Sequence, residues 1–261
     1  MIGIFDSGLG GLTALKEARR LMPEEDFVYF GDTGRVPYGT RSRDTIIEYT
    51  RQAMHFMLEM NVRAVLVACG TVSSVALKTV KEEFDIPIIG VVDSAAKAAI
   101  SATKNKKIGV IGTGATISSR SFESFIHEQD DGIDTLGVAC PLFVSLVENG
   151  YIAPDDSVTL EVARRYLSPI ANFRADTLIL GCTHFPIISQ SIAQILPDVT
   201  LINSGKEAAK ALCDLLGGGD VGSGRTHYYV SDSPDNFSAI ASIFLEEEFI
   251  CGVEKINIQK Y

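Results

Sequence analysis

The sequence predicts an α/β fold with two similar lobes, each a mostly parallel sheet flanked by helices, and an active site in the cleft between them. Three observations predict this architecture. Short apolar runs alternate with amphipathic segments of helical length, an order typical of parallel sheets covered by helices. Motifs of the first half recur in the same order in the second half. Cysteines and small polar residues directly follow the apolar runs, at the strand ends where open parallel sheets bind ligands.

The first half supplies strands and helices in alternation. Apolar runs predict buried strands over 2–5, 27–30, 64–68 and 88–92. Apolar residues at helical spacing predict helices over 12–21, 43–60 and 73–83. Prolines mark the connections, since they continue neither element: Pro23, Pro37 and Pro87.

The second half repeats the first. Three pairs of segments match at offsets of 106, 113 and 110 residues: IGIFDSG with IGVIGTG (2–8 and 108–114), VLVAC with LILGC (65–69 and 178–182), and VDS with INS (92–94 and 202–204). One such pair could arise by chance, because apolar strands often end in small residues. Three pairs in the same order at nearly constant spacing indicate an internal duplication.

The segment after Ser204 is too short for a third lobe. It predicts a helix over 206–216, a glycine-rich turn, a strand over 227–230, another helix and a last strand over 253–258. We therefore expect this tail to complete the first lobe. The predicted lobes are 1–95 plus 206–261, which holds Asp6 and Cys69, and 96–205, which holds Cys182 and His184.

Composition narrows the class of protein. Apolar residues make up 46% of the chain and charged residues 21%, as in globular proteins with a substantial core. The net charge of −10, with no basic cluster, argues against nucleic-acid binding. No apolar run reaches the roughly 18 residues that span a bilayer, and the N-terminus does not resemble a secretory signal, so we expect no membrane partner.

The five cysteines predict reduced thiols in a cytoplasmic protein, because their number is odd and their spacing wide. None forms a CxxC pair, which argues against a structural zinc site. We expect three of them to be ordinary small buried residues: Cys140, Cys213 and Cys251.

Cys69 and Cys182 occupy equivalent strand ends in the two repeats and point to proton-transfer chemistry. If the lobes face each other, the two thiols lie on opposite sides of one cleft. Two groups of similar acidity on opposite faces of one carbon are what inversion by proton transfer requires: one removes the proton and the other delivers one. A helix N-terminus after each strand is expected to lower the pKa of the thiol from about 8.5.

Polar neighbours fit this chemistry. Asp6 ends the first strand, beside Cys69, and His184 lies two residues after Cys182. Each could hold or relay the proton of its thiol. Hydroxyl groups and turn N–H groups could bind a substrate carboxylate, the hydroxyls being those of Ser7, Thr71, Thr113, Thr116 and Thr183.

Simpler interpretations stay open at this point. Asp6 could merely cap the following helix, and His184 could be a structural residue. Cys182 and His184 could ligate a metal, although two ligands make a weak site. A dinucleotide site is poorly supported, because the run 109–114 lacks the GxGxxG spacing; no GxxxxGK[ST] loop and no recognisable pyridoxal lysine are present.

Several motifs in fixed order resemble the bacterial glutamate racemases over essentially the whole chain. They are IGIFDSGLGGLT at the N-terminus, YFGDTGRVPYG around Tyr38, VACGTVSS at Cys69, PLFVSLVENG near Glu148, LGCTHFPII at Cys182 and LINSGKEAAK near Ser204. The resemblance implies interconversion of L- and D-glutamate with neither metal nor other cofactor, which supplies D-glutamate for peptidoglycan, by a protein that tends to form homodimers.

The resemblance also implies residue roles. Cys69 would act on the D-enantiomer, assisted by Asp6, and Cys182 on the L-enantiomer, assisted by His184, with Glu148 supporting that side. The implied substrate contacts are Asp6, Ser7, Tyr38, Gly39, Gly70, Thr71, Thr113, Thr116, Thr183 and His184.

Gly70 departs from the family pattern, which has asparagine directly after the first cysteine. A lost hydrogen bond to a charged ligand group costs about 1.5–3 kcal/mol. We therefore expect a weaker or altered substrate site, and expect Gly70→Asn to improve activity on glutamate.

Rival functions remain. An aspartate racemase or another two-cysteine isomerase is the nearest, although His184 favours glutamate because aspartate-type relatives tend to carry an acidic residue there. A glutamate-binding protein without turnover is a second, favoured only by Gly70. A redox sensor is a third, and it would need two sulfurs at bonding distance instead of a substrate-sized gap.

Overall fold

The computed structural model describes residues 1–219, 222–249 and 251–261. Its strands are β1 (Ile2–Asp6), β2 (Phe27–Gly31), β3 (Val65–Val67), β4 (Ile88–Gly90), β5 (Lys107–Gly112), β6 (Asp134–Ala139), β7 (Thr177–Leu180), β8 (Thr200–Asn203), β9 (Thr226–Val230) and β10 (Val253–Lys255). Every paired neighbour among them is parallel. The central strands β1, β2, β3 and β7 are buried throughout, as expected when helices cover both faces of a sheet.

The two sheets share one strand order, which is the structural trace of the duplication. The first sheet runs β10-β9-β2-β1-β3-β4 and the second runs β6-β5-β7-β8. The order β2-β1-β3-β4 thus recurs as β6-β5-β7-β8. The tail adds β9 and β10 to the outer edge of the first sheet.

Helices connect the strands. They are α1 (Leu12–Leu21), α2 (Arg43–Glu59), α3 (Gly70–Val75), α4 (Leu77–Val80), α5 (Val91–Ala102), α6 (Gly114–Ser119), α7 (Ser121–Gln129), α8 (Pro141–Glu148), α9 (Ser157–Phe173), α10 (Ser189–Ile195), α11 (Ser204–Leu216) and α12 (Pro234–Leu245). In the described part of the chain, 3₁₀ turns accompany them at Tyr38–Thr40, Lys81–Glu83, Phe185–Ile188 and Ile258–Lys260. Among the described residues, no helix is long and apolar enough to cross a membrane.

Some predicted boundaries need correction. The helix predicted over 73–83 is three short pieces, α3, α4 and a 3₁₀ turn. The strand predicted over 88–92 stops at Gly90, because Val91 already begins α5. The predicted glycine-rich turn includes residues 220 and 221, which lie outside the described residues.

Helices α5 and α11 lie between the sheets. They pack against each other, and α11 also packs along α1. The lobe boundaries near 95 and 205 both fall within this helical layer and stay a prediction. With the sheets fixed by shared helices, the carboxyl ends of β1, β3, β5 and β7 meet at one cleft.

Candidate active site

The cleft between the two sheets has a volume of about 360 Å³ and is lined by both Cys69 and Cys182. Cys69 follows β3 of the first sheet, and Cys182 follows β7 of the second. Each exposes 6% of its surface, so both sulfurs are sheltered but reachable from the cleft. The structure thus brings together the two thiols that the repeat singled out.

Cys69 stands at the N-cap of α3, and its thiol donates a hydrogen bond to Ser7 Oγ at 3.2 Å. Burial, and next the charge of Asp6, raise the pKa of Cys69 to about 12, although the hydrogen bond to Ser7 and the Val72 N–H oppose this. The expectation that a helix N-terminus lowers this pKa is wrong, because the desolvation of a buried thiolate and the nearby carboxylate outweigh a six-residue helix. Cys69 is therefore a neutral thiol near neutral pH.

Asp6 ends β1 and is buried at the cleft. Its Oδ2 accepts a hydrogen bond from Gly8 N at 2.9 Å, while Oδ1 has no partner among the described residues. Burial raises the pKa of Asp6, partly offset by the charge of His184 and by backbone N–H groups. A buried carboxyl with one open oxygen beside a thiol fits a group that binds a cationic amine or exchanges a proton.

On the other side of the cleft, Cys182, His184 and Glu148 contact one another in that order. His184 Nδ1 lies 3.9 Å from Cys182 Sγ, and its Nε2 lies 3.0 Å from Glu148 Oε1. Burial lowers the pKa of His184, but its hydrogen bonds to Cys182 and Glu148 and their charges outweigh this and raise it to about 10. His184 is therefore an imidazolium near neutral pH, with both ring nitrogens as donors. A cation beside a sulfur stabilises a thiolate.

Hydroxyl groups line the cleft from both lobes. Thr71 Oγ1 and Thr113 Oγ1 are 2.9 Å apart, which joins the two lobes through one hydrogen bond. Thr183 also lines the cleft. Thr116, predicted as a substrate contact, lies behind Thr113, 3.0 Å from its hydroxyl, and is not part of the cleft lining.

Tyr38 and Gly39 form another wall of the cleft. Asp32 fixes this wall by hydrogen bonding to Tyr38. Buried Asp32 accepts hydrogen bonds from the Tyr38 hydroxyl, from Arg35 Nε at 2.6 Å and from Ser231 Oγ at 2.7 Å. Asp32 was not among the site residues predicted from the sequence. The signal was present, because Asp32 follows the end of β2 as Asp6 ends β1.

Further residues of the lining also escaped the sequence analysis: Gly8, Leu9, Val36, Pro37, Thr40, Gly114, Pro141, Val144 and Ser145. They lie on loops, on a 3₁₀ turn and on α6 and α8, and no local pattern predicts that these segments approach the cleft. Among the described lining residues there is no lysine or arginine, so substrate carboxylates would be bound by hydroxyls, backbone N–H groups and His184.

The remaining cysteines differ from one another. Cys140 is buried, as expected, whereas Cys213 is half-buried and Cys251 is exposed, so the expectation of burial is wrong for these two. None is among the described residues that line the cleft.

Comparison with known proteins fits this geometry. The sequence model of the Asp/Glu/Hydantoin racemase family matches residues 12–212. The chain belongs to this racemase family. It is similar to glutamate racemase of Geobacter metallireducens, at 40% identity over 250 residues that cover 94% of this chain and 92% of the relative. Glutamate racemase of Chlorobaculum parvum is 43% identical over 254 residues, which cover 95% and 93% of the two chains.

A solved structure of glutamate racemase from Francisella tularensis in complex with D-glutamate superposes with a TM-score of 0.92, at 37% identity, covering 100% of this chain and 98% of that one. The family, the isomerase class and the two-lobed α/β fold predicted from the motifs are confirmed.

Proposed function

We propose that this racemase-family protein interconverts L- and D-glutamate by proton transfer between the substrate Cα and two cysteine thiols, with no cofactor taking part. The observation that carries the proposal is that Cys69 and Cys182 come from different sheets and line one cleft. Each thiol has its own proton-handling neighbour, Asp6 on one side and His184 on the other. The similarity to glutamate racemases, one of them bound to D-glutamate, supports glutamate as the substrate.

The reaction needs one base and one acid at a time. A thiolate takes the α-proton of glutamate, and the electron pair stays on Cα next to the carboxylate. The opposite thiol then gives its proton to the other face, which inverts the centre and leaves that sulfur as the thiolate. Because the product is the mirror image of the substrate at Cα, the two cysteines exchange roles in the return reaction.

The two sides differ in the resting protein. Cys69 is a neutral thiol, because its pKa is raised to about 12, whereas His184 places a positive charge beside Cys182. Proton removal from the L-enantiomer requires a Cys182 thiolate and a Cys69 thiol, since the family resemblance implies that Cys182 faces the α-proton of that enantiomer. Asp6 then receives or returns the Cys69 proton between turnovers.

The wider role follows from the product. The family resemblance favours supply of D-glutamate for peptidoglycan, and the free cysteines favour a cytoplasmic location. A homodimer is part of the proposal, and sedimentation of the purified chain at several concentrations tests it. A monomer at every concentration contradicts it.

Exchange of the Cα proton in deuterated water tests the mechanism. We expect Cys69→Ser and Cys182→Ser each to lose about a hundredfold or more of racemisation. Cys69→Ser should still exchange the L-enantiomer, and Cys182→Ser the D-enantiomer. Cys213→Ser, outside the cleft lining, is the matched control and should behave as wild type.

Three outcomes would overturn the proposal. Unimpaired racemisation by either single variant contradicts the two-thiol mechanism. Faster turnover of aspartate than of glutamate assigns the rival substrate. Calorimetric binding of glutamate with a constant circular-dichroism signal assigns a binding protein without turnover.

A further inference from the structure

Gly70, the residue after the first catalytic cysteine, touches the backbone of the opposite lobe. A Cβ atom at this position would lie 2.1 Å from the carbonyl oxygen of Gly181, the residue before Cys182. Real Cβ atoms are essentially never found closer than 3.0 Å to such a neighbour. The two loops that carry the sulfurs therefore meet backbone to backbone, at a separation that only glycine allows.

Backbone hydrogen bonds and packing hold both loops in place, so neither can easily move to accommodate a side chain. Gly181 N donates to Ile111 O at 2.8 Å, which continues the β5 and β7 ladder, and the Phe122 ring fills the space beside Gly181. On the other side, Gly70 opens α3, and Ser73 N donates to Cys69 O at 2.9 Å. The contact therefore joins a strand end of one sheet to the first helical turn of the other.

Gly10, which lies close to Thr183 and His184, provides a contrast. A Cβ there would meet the Thr183 hydroxyl at 2.0 Å and the His184 ring at 2.7 Å, which are side-chain atoms. Side chains can rotate away, whereas the Gly181 carbonyl moves only with its strand. Of these two positions, Gly70 is the one where a substituent must displace backbone atoms of the opposite lobe.

We propose that Gly70 is a positioning residue that sets the gap between the Cys69 and Cys182 sulfurs by letting the two strand-end loops rest on each other. This inference rests on the proposed two-thiol function and adds a determinant of its geometry. Proton transfer needs reacting atoms about 3–3.5 Å apart, and a misplacement of about 1 Å costs about a hundredfold. Adding even one methyl group at residue 70 moves the loops apart by an amount of that order, since 2.1 Å must become at least 3.0 Å.

The Gly70→Asn substitution should therefore have the opposite effect to the one expected from the sequence alone. An asparagine at residue 70 brings an amide toward the substrate, but its Cβ meets the same carbonyl oxygen. In this chain we expect the steric cost to exceed the gain, so Gly70→Asn should lower activity on glutamate, as should Gly70→Ala.

Bifunctional methanethiosulfonates of graded length measure the gap directly. Each bridges two thiols only when its span fits, and peptide mapping identifies the Cys69–Cys182 bridge. We expect Gly70→Ala and Gly70→Asn to shift the preferred reagent to a longer span and to lower kcat/KM about a hundredfold. Gly114→Ala is the matched control for the span, because Gly114 opens α6 as Gly70 opens α3, and its Cβ would meet only Gly39 O, at 4.0 Å.

The outcomes separate this inference from the function. An unchanged span in folded Gly70→Ala, or a Gly70→Asn variant as active as wild type, overturns it. Should Gly70→Ala not fold, the pair Gly70→Ala and Phe122→Leu carries the same measurement, because the smaller side chain frees space beside Gly181. A wild-type chain that fails to racemise glutamate, while the Gly70 variants still shift the span, refutes the function and leaves the positioning role intact.

Discussion

Glu148 Oε1 lies 3.0 Å from His184 Nε2, on the side of the imidazole ring opposite to Cys182. The Glu148 side chain is 40% exposed, whereas the His184 side chain is 9% exposed. The pair therefore links a sheltered sulfur to a carboxylate in contact with water. This arrangement holds a proton on His184 and offers a path along which it can be replaced.

Glu148→Gln should make the protonated form of His184 less stable. The Glu148 carboxylate helps to raise the pKa of His184, so its loss lowers that pKa and the variant deprotonates His184 at lower pH. We expect kcat/KM to fall roughly tenfold at neutral pH and the alkaline limit of the pH profile to move down, because a charge-assisted hydrogen bond is lost. Racemisation followed by circular dichroism across pH checks this. An unshifted profile would contradict the role of Glu148.

His184 should also make stability depend on pH. Its pKa rises from 6.5 to about 10 on folding. The protonated ring therefore stabilises the fold fully below about pH 6.5, and this contribution is lost as pH rises through about 10. We expect the difference in free energy of unfolding between wild type and His184→Asn to shrink over that range. Urea titrations at several pH values measure it, and a constant difference would refute it.

The two thiols should differ in reactivity although they are equally accessible. Cys69 and Cys182 each expose 6% of their surface, so access does not separate them. Since the pKa of Cys69 is about 12, its thiolate is scarce near neutral pH, whereas Cys182 Sγ lies 3.9 Å from Nδ1 of the His184 imidazolium. We expect iodoacetamide to alkylate Cys182 at least about tenfold faster near neutral pH. Peptide mapping with time measures both rates.

His184→Asn is the control for this comparison. It should slow the alkylation of Cys182 and leave Cys69 unchanged, because the imidazolium lies beside only one sulfur. Equal rates for the two cysteines in the wild-type protein would show that the resting sides are alike.

The sequence alone predicted the features that follow from local pattern. Burial of strands on both faces leaves continuous apolar runs, so β1 and β2 were located within one residue at either end. The duplication was visible because equivalent strand ends need similar small residues. Cys69 and Cys182 could be paired for the same reason, since each follows the strand next to the first strand of its sheet.

Features that depend on long-range packing were not predicted. The raised pKa of Cys69 comes from burial and from Asp6, 63 positions away, and no local signal reports either. Gly70 was noticed in the sequence, but its effect was misinterpreted. From sequence it marks a lost amide, whereas in the folded chain it marks a contact with Gly181 that no side chain fits.

Asp32 should fix the wall of the cleft that carries Tyr38. Asp32→Asn keeps one acceptor oxygen but weakens the pairing with Arg35, which donates to the carboxylate at 2.6 Å. We expect the free energy of unfolding to fall by about 1.5–3 kcal/mol and KM to rise more than kcat falls. Ser231→Ala removes the hydrogen bond to Asp32 and the one that Ser231 Oγ accepts from Gly34 N at 2.8 Å. It should cost about 1–2 kcal/mol and leave KM nearly unchanged. Equal effects of the two substitutions on KM would contradict a specific role for Asp32.

Asp6→Asn should lower activity but keep or raise the free energy of unfolding at neutral pH. Burial raises the pKa of Asp6, so its ionised form is disfavoured in the folded protein. The protonated form stabilises the fold fully below about pH 3.8, and this contribution is lost as pH rises through the pKa of the folded state. A neutral amide of the same shape avoids that cost and still accepts from Gly8 N. We therefore expect Asp6→Asn to be at least as stable as wild type at neutral pH, with the advantage disappearing in acid.

The same change removes the group that exchanges a proton with Cys69. We expect kcat/KM to fall about a hundredfold, with the larger loss in kcat, because the amide cannot accept or return a proton. Urea unfolding at neutral and acid pH, with racemisation assays on the same samples, measures both effects. Asp6→Ala serves as the control, since it also removes the acceptor for Gly8 N and should lose stability. If Asp6→Asn loses stability and activity together, Asp6 supports the loop instead of the proton transfer.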